Sequence, residues 1–119
     1  MGVVLTGFAD EIGPDPQLQI DTLSAVDVRF LELRAVGGKG VLDLDADEAA
    51  AFKRALDAAG ISVSSIGSPI GKVQVRSDLD AHFARFRIAV ESAQFFGARY
   101  VRVFSFYHEG EEASACREE

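Results

Sequence analysis

The hydrophobic and polar positions of this chain form short apolar blocks that alternate with longer amphipathic blocks. Short apolar, β-branched blocks predict buried strands, and they lie at Val3 to Phe8, Val28 to Ala35, Ile61 to Ile66 and Tyr100 to Tyr107. The blocks between them have helical spacing. Helices are therefore predicted from Pro16 to about Val26, between Asp45 and Gly60, and between Ser77 or Asp78 and Gly97.

Local signals mark the ends of the second and third helices. Asp45, three residues before Glu48, predicts the aspartate form of a capping box, in which each side chain accepts a hydrogen bond from the other residue's backbone N–H. Gly60 and Gly97 stand where a left-handed residue ends a helix. The third helix is predicted to bury an apolar stripe made of Leu79, Phe83, Phe86, Val90 and Ala93.

Strands and helices thus alternate along the chain, and we expect no hairpin. Alternation of this kind predicts an α/β fold with a mainly parallel sheet and right-handed crossovers. The length of each unit fits one of the eight units that share about 250 residues in a (β/α)₈ TIM barrel. We therefore predict the first half of such a barrel, with four strands and three helices, and treat residues 1–119 as a single partial domain truncated after the fourth strand.

Composition and charge exclude several classes of function. With 119 residues and 48% hydrophobic content, the chain can bury a core. A net charge of -7 and scattered basic residues argue against a nucleic acid partner, because phosphate neutralisation needs clustered Lys and Arg. Neither a run of about 18 apolar residues nor a signal-peptide pattern is present, so we expect a cytoplasmic location and no membrane partner. The single cysteine, Cys116, has no disulfide partner.

Candidate functional residues follow from the fact that parallel α/β folds bind ligands at the carboxyl ends of their strands. The residues in these positions are acids, bases and one hydroxyl. They are Asp10 and Glu11 after the first strand, Glu32, Arg34 and Lys39 in the second strand and its loop, Ser68 and Lys72 after the third, and His108 and Glu109 after the fourth. This set is suited to a small anionic ligand with several hydroxyl groups.

Two of these candidates, Glu32 and Asp10, allow more than one interpretation, and Arg34 has one preferred interpretation. Glu32 either contacts a ligand or pairs with Arg102 in the interior, because a buried charge needs a partner. Arg34 lies one step nearer the strand end, and its planar guanidinium favours a carboxylate or phosphate of the substrate. Asp10, which we prefer to Glu11, is either an acid–base or metal-binding group or a solvated loop acid.

The two histidines differ in their predicted roles, and two candidate lysines lie in loops that contain glycine. His108 is either a metal ligand or proton shuttle, or a strand-end histidine without chemistry. His82 is predicted to lie on the exposed side of the third helix. Lys39 and Lys72 stand beside glycines that would let a phosphate or carboxylate approach, although neither loop matches a P-loop.

Four segments together resemble the sugar phosphate isomerase/epimerase family, whose members have a xylose-isomerase-like TIM barrel. These segments cover nearly the whole chain in order and read GFADEIGPDP, VRFLELRAVGGKGVLDLD, ISVSSIGSPIGKV and GARYVRVFSFYHEGEE. The resemblance implies a metal-dependent isomerase or epimerase that moves a proton at a carbon next to a carbonyl. It also implies that the ligands of the divalent metal ion come from later strands, so that this fragment alone is inactive.

The resemblance implies in addition that this half of the barrel shapes the substrate. The implied residues are Glu32, Arg34, Ser68, Lys72 and His108, and the strand-end rule adds Asp10 and Lys39. The expected partner is a small sugar, sugar phosphate, or ketose or inositol derivative. Because a half barrel has open edges, we also expect a homo-oligomer formed through those edges.

Two other hypotheses belong to different classes of protein. A small doubly wound α/β module would bind or signal without catalysis, and a phospho-receiver domain has this size. Such a domain needs an aspartate at the end of its third strand, where this chain has Ile66-Gly67-Ser68-Pro69, and a lysine after a fifth strand that is not predicted here. A relic of the barrel that binds without turnover is the other hypothesis.

Overall fold

Three strands form a parallel sheet whose order in space follows their order in the chain. The computed structural model describes residues 2–108. Its strands are β1 (Phe30–Leu33), β2 (Ala35–Val36), β3 (Lys39–Gly40), β4 (Ser62–Ile66) and β5 (Tyr100–Val101). β4 lies between β1 and β5 and is parallel to both. The predicted α/β class with a parallel sheet is therefore confirmed.

The three predicted helices are present. They are α1 (Pro16–Ala25), α2 (Ala46–Ala59) and α3 (Leu79–Phe96). The capping box of α2 is complete, because the Glu48 N–H donates to Asp45 at 2.7 Å and the Asp45 N–H donates to Glu48 at 3.1 Å. Gly60 and Gly97 end α2 and α3 in the left-handed conformation, as predicted.

The core lies between the helices and one face of the sheet. Leu31 and Leu33 of β1 and Val63 and Ile66 of β4 are buried, whereas the other residues of these two strands are partly or fully exposed. This alternation turns one sheet face toward the helices. The helices complete the core with Phe52, Leu56, Ala89, Ala93 and Phe96.

The predicted first strand, Val3 to Phe8, is wrong. The segment lies outside the sheet, and it meets β1 through a hydrogen bond from the Glu32 N–H to the Gly7 carbonyl at 2.9 Å. Val3 and Leu5 are 91% and 64% exposed. The apolar pattern predicts burial, but no described residue covers these side chains. The described parallel sheet therefore has three strands instead of four.

The expectation that the chain has no hairpin is also wrong. β2 and β3 pair antiparallel, with Val36 opposite Lys39. Gly37 and Gly38 join them with φ angles of 64° and 77°. Two successive residues with positive φ form the tight turn whose twist matches that of paired strands. The Gly-Gly pair is thus a hairpin signal as well as a loop signal.

The fourth strand is shorter than the predicted Tyr100 to Tyr107. Its ladder with β4 covers Tyr100–Val101. The chain then follows the loop after β4, where the Phe104 N–H donates to the Ile70 carbonyl at 2.7 Å. The apolar alternation therefore continues beyond the sheet, because the loop replaces the strand as the hydrogen-bonding partner.

The apolar stripe predicted for α3 is only partly buried. Ala93 is buried, but Phe83 is 63% exposed and Phe86 is 37% exposed. The first half of α3 lies beside the loop after β4, where His82 accepts a hydrogen bond from the Gly71 N–H. These phenylalanines consequently have no sheet to pack against.

None of the helices in the described part of the chain is both long enough and apolar enough to cross a membrane. Glu109, Cys116 and the polar tail between them lie outside the described residues.

Candidate functional site

A cleft of about 320 Å³ opens at the carboxyl ends of the three parallel strands. Arg34, Gly67 and Arg102, which follow β1, β4 and β5 directly, lie in its wall. The charged residues of the cleft are Asp10, Arg34, Asp43, Lys72, Arg85 and Arg102. Four cations against two carboxylates make the cleft positive, although the net charge of the chain is -7. Such a cleft is suited to an anion.

Arg34 is oriented by the acids that follow the N-terminal segment. Its Nε donates to Asp10 Oδ2 at 2.8 Å, and its Nη2 lies 3.5 Å from Glu11 Oε1. The hydrogen bond to Asp10 raises the pKa of Arg34 above its usual value. Both acids belong to the 3₁₀ turn Ala9–Glu11. Candidate residues from the N-terminal turn and from the end of β1 therefore meet here.

Arg102 lies across the end of β4. Its Nη2 donates to the carbonyl oxygens of Gly67 and Ser68, both at 3.1 Å, and Ser68 Oγ donates to the Arg102 carbonyl at 2.6 Å. Glu32 instead accepts a hydrogen bond from Ser65 at 3.2 Å. The predicted ion pair between Glu32 and Arg102 is therefore wrong. Because β4 lies between β1 and β5, each side chain finds a nearer partner in or just after β4.

The loop after β4 holds Lys72 over the cleft. Lys72 Nζ lies 4.6 Å from the centre of the Phe104 ring, within cation–π distance. Gly71 lies against the Phe104 backbone, and its N–H donates to His82 Nε2 at 2.8 Å. The predicted exposed position of His82 is wrong, because its half-buried ring anchors this loop and packs edge-on against Phe106 at 5.7 Å.

The structure brings together some of the predicted site residues and separates others. Asp10, Arg34 and Lys72 line the cleft. Ser68 is fully buried behind the wall, where its hydroxyl also accepts a hydrogen bond from a backbone N–H at 3.3 Å. Glu32 is half-buried on the sheet face opposite the core. A ligand in the cleft would thus meet the first three side chains directly.

Lys39 and His108 lie outside the wall of the cleft. Lys39, at the tip of the hairpin, donates to Glu48 Oε1 at 2.8 Å. His108 is exposed and follows the bridge between Gln74 and Tyr107. The substrate-binding roles of these two residues stay predictions.

Two cations of the cleft were not assigned to the site from the sequence. Arg102 follows β5 directly, but the longer strand predicted from Tyr100 to Tyr107 places it near the start of the strand and in the interior. Arg85 lies on α3, and its Nη2 pairs with Asp43 at 3.1 Å. An arginine on an amphipathic helix carries no sequence signal for a site, because solvent-exposed helix faces are commonly charged.

Replacing Ser68 by alanine is expected to destabilise the fold by about 1–3 kcal/mol, because a carbonyl and an N–H lose their hydrogen-bond partner inside the protein. Urea unfolding followed by circular dichroism measures this loss. The matched control is Ser62→Ala on the exposed end of β4, where we expect a change within about 0.5 kcal/mol. Equal stability of both variants would contradict the structural role of Ser68.

The capping box and Lys39 predict an acid dependence of stability. Hydrogen bonds from Lys39 and then from the Asp45 N–H lower the pKa of Glu48 below its usual 4.5. The stabilisation by ionised Glu48 is therefore complete above pH 4.5 and is lost as the pH falls through the lower folded-state pKa. Wild type should exceed Glu48→Gln in unfolding free energy at neutral pH, and the difference should vanish in acid. Glu91→Gln on α3 is the control. A difference in unfolding free energy between the wild type and Glu48→Gln that persists in acid would contradict the prediction.

Residues 2–108 contain no group of three His, Cys, Asp or Glu side chains that could hold a metal ion. The family resemblance implies that the ligands of the divalent ion come from later strands, and no chemical step through a metal is assigned to these residues. No protein-family model, curated protein or solved structure matches the chain. The fold and the geometry of the cleft are therefore the basis for a functional proposal.

Proposed function

We propose that this chain is the N-terminal half of a (β/α)₈ barrel and contributes the substrate-binding wall of a metal-dependent isomerase or epimerase. The substrate would be a sugar phosphate or a ketose or inositol derivative, and the reaction a proton transfer at the carbon next to a carbonyl. The observation that carries this proposal is a hydrogen bond of 2.9 Å between the hydroxyls of Thr6 and Ser64.

Thr6 and Ser64 belong to segments that lie on opposite sides of β1. The Glu32 N–H donates to Gly7, whereas the carbonyl of the next residue, Leu33, accepts from the Gly67 N–H at 2.7 Å. Because successive residues of a strand direct their backbone groups to opposite edges, the N-terminal segment lies on the edge of β1 away from β4.

A flat sheet would not allow the contact between Thr6 and Ser64. Segments two positions apart are separated by about 10 Å in such a sheet, and both side chains are short. Their contact requires the sheet to curve around the face opposite the core. Ser64 is the extra residue where the register of β4 shifts against β1, and such bulges bend strands. In a TIM barrel, side chains from alternate strands meet in one interior layer.

The strand order also favours a barrel over a doubly wound module. The order runs from the N-terminal segment through β1 and β4 to β5 without a reversal. Right-handed crossovers then place successive helices on the same face, and α1 does pack beside α2. A doubly wound fold needs a point at which the order reverses and helices on both faces.

The roles proposed for this half are binding and orientation. Arg34, fixed by Asp10, would hold a negatively charged group of the substrate, and Lys72 would add a second cation. Glu32 would reach substrate hydroxyls from the barrel interior. The divalent ion and its ligands are proposed to lie outside this chain, and the cytoplasmic location stays a prediction.

Deuterium exchange tests the proposed reaction. The complete gene product that contains this chain would be incubated in D₂O with sugar phosphates, ketoses and inositol derivatives and an added divalent metal ion. We expect proton NMR to show the loss of the proton signal at the carbon next to the carbonyl, as deuterium replaces that proton. Arg34→Met should lower kcat/KM by about tenfold or more, because it removes a charged hydrogen-bond partner of the substrate.

Lys53→Met is the matched control, because Lys53 pairs with Asp57 on the surface of α2 and lies outside the cleft. Its kcat/KM should equal that of the wild type. Binding of these compounds without any exchange would contradict the proposed enzyme and favour a binding-only barrel.

A further inference from the structure

Three cations of the cleft are linked by two aromatic rings. The Phe8 ring centre lies 4.4 Å from Arg34 Cζ and 5.4 Å from Arg102 Cζ. The Phe104 ring centre lies 4.6 Å from Arg102 Cζ and 4.6 Å from Lys72 Nζ. These five residues form a continuous series, which we call the cation ladder.

The cation ladder concentrates positive charge. Neighbouring cations that share a ring are no farther apart than about 10 Å, which is about the Debye length at 0.1 M salt, so they repel one another. Arg34 is neutralised by Asp10. Within residues 2–108, no carboxylate lies within ion-pair distance of Lys72 or Arg102.

The Arg102 guanidinium of the ladder is held in place by hydrogen bonds to the backbone. Nε and Nη2 of Arg102 donate to backbone carbonyls at the end of β4, and Nη1 takes no part in these bonds. Gly67 lets the ladder form, because a side chain there would press on Arg34 Cβ and on the Phe8 ring, each 3.1 Å from the position of its Cβ. A rigid guanidinium loses little freedom when it binds an oxyanion.

We propose that the cation ladder is a binding subsite for a phosphate group, with Arg102 and Lys72 as its principal donors. Phosphate suits the ladder because it carries up to two negative charges and accepts hydrogen bonds on several oxygens. An oxyanion between Arg102 and Lys72 would also relieve their repulsion. The identity of the sugar to which the phosphate is attached rests on the proposed function. The binding of phosphate itself does not.

Calorimetric titration of the 119-residue chain with inorganic phosphate at constant ionic strength tests this subsite. We expect saturable binding to the wild type and about tenfold weaker binding to Lys72→Gln, because a charged hydrogen bond is lost. Lys72 is exposed, so this variant should keep its fold. The matched control, Lys53→Gln on α2, should bind phosphate like the wild type.

Competition distinguishes a phosphate ester from a free sugar. Glucose 6-phosphate should displace inorganic phosphate, and glucose should not. Absence of saturable phosphate binding, or equal weakening in Lys72→Gln and Lys53→Gln, would overturn the subsite. Failure of the deuterium-exchange experiment would leave phosphate binding intact, whereas exchange without phosphate binding would overturn the subsite and leave the proposed reaction standing.

Discussion

Replacing Gly71 by alanine is expected to destabilise the fold by about 3 kcal/mol or more, because it combines backbone strain with overpacking. Gly71 has a φ of 90°, which residues with a side chain rarely adopt. A Cβ atom at this position would also overlap the carbonyl of Phe104, which is backbone and cannot rotate away. The loop would have to leave the 102–104 segment, and Lys72 would move away from the Phe104 ring.

Gly38→Ala separates the two causes of this loss. Gly38 has a similar φ of 77°, but a Cβ there would meet no atom within 4 Å. We expect it to cost only the backbone strain, about 1–2 kcal/mol. Urea unfolding of both variants gives the comparison. Equal losses would show that the close approach of Gly71 to Phe104 is absent in solution.

Replacing Leu33 by alanine is expected to cost about 2–5 kcal/mol, because a cavity would be left in the core. Leu33 is 0% exposed in the strand that positions Glu32 and Arg34. A loss of this size is a large part of the roughly 5–15 kcal/mol that stabilises an ordinary domain. The site should therefore be lost together with the fold.

Leu18→Ala is the matched control for this prediction. Leu18 lies on α1 and is 47% exposed, so the same substitution removes little buried surface. We expect less than about 1 kcal/mol, since alanine is also the best helix former. Chemical unfolding compares both variants with the wild type. Similar losses at the two positions would contradict the placement of Leu33 in the core.

Features that depend on neighbours in the sequence were predictable. Asp45 and Glu48 form their capping box within one turn, and Gly60 ends the same helix through its own backbone freedom. The strand-end rule also selected Asp10 and Arg34, which form an ion pair, although residues 3–8 do not form the strand predicted before Asp10. Such signals require no knowledge of which segments pack together.

Features that depend on partners far along the chain were missed. The pattern of residues 3–8 indicates a buried strand, but the burial of a strand depends on what covers it. The role of His82 depends on the loop that brings Gly71 to its ring. The pairing of Arg102 depends on the order of the strands, which sets Glu32 and Arg102 on opposite sides of β4. Hydrophobic periodicity contains none of this information.

A designed cross-link gives the most direct test of the curved sheet on which the barrel proposal depends. Thr6 and Ser64 would both be replaced by cysteine, with Cys116 replaced by serine, and the protein would be oxidised and mapped by mass spectrometry. A disulfide requires Cα atoms within about 7 Å, whereas segments two positions apart in a flat sheet are about 10 Å apart.

Cysteines at Thr6 and Ser62, which lies two residues earlier on β4, form the control pair. We predict an intramolecular disulfide for the first pair and little for the control. No disulfide between positions 6 and 64, or equal yields from both pairs, would contradict the curved sheet.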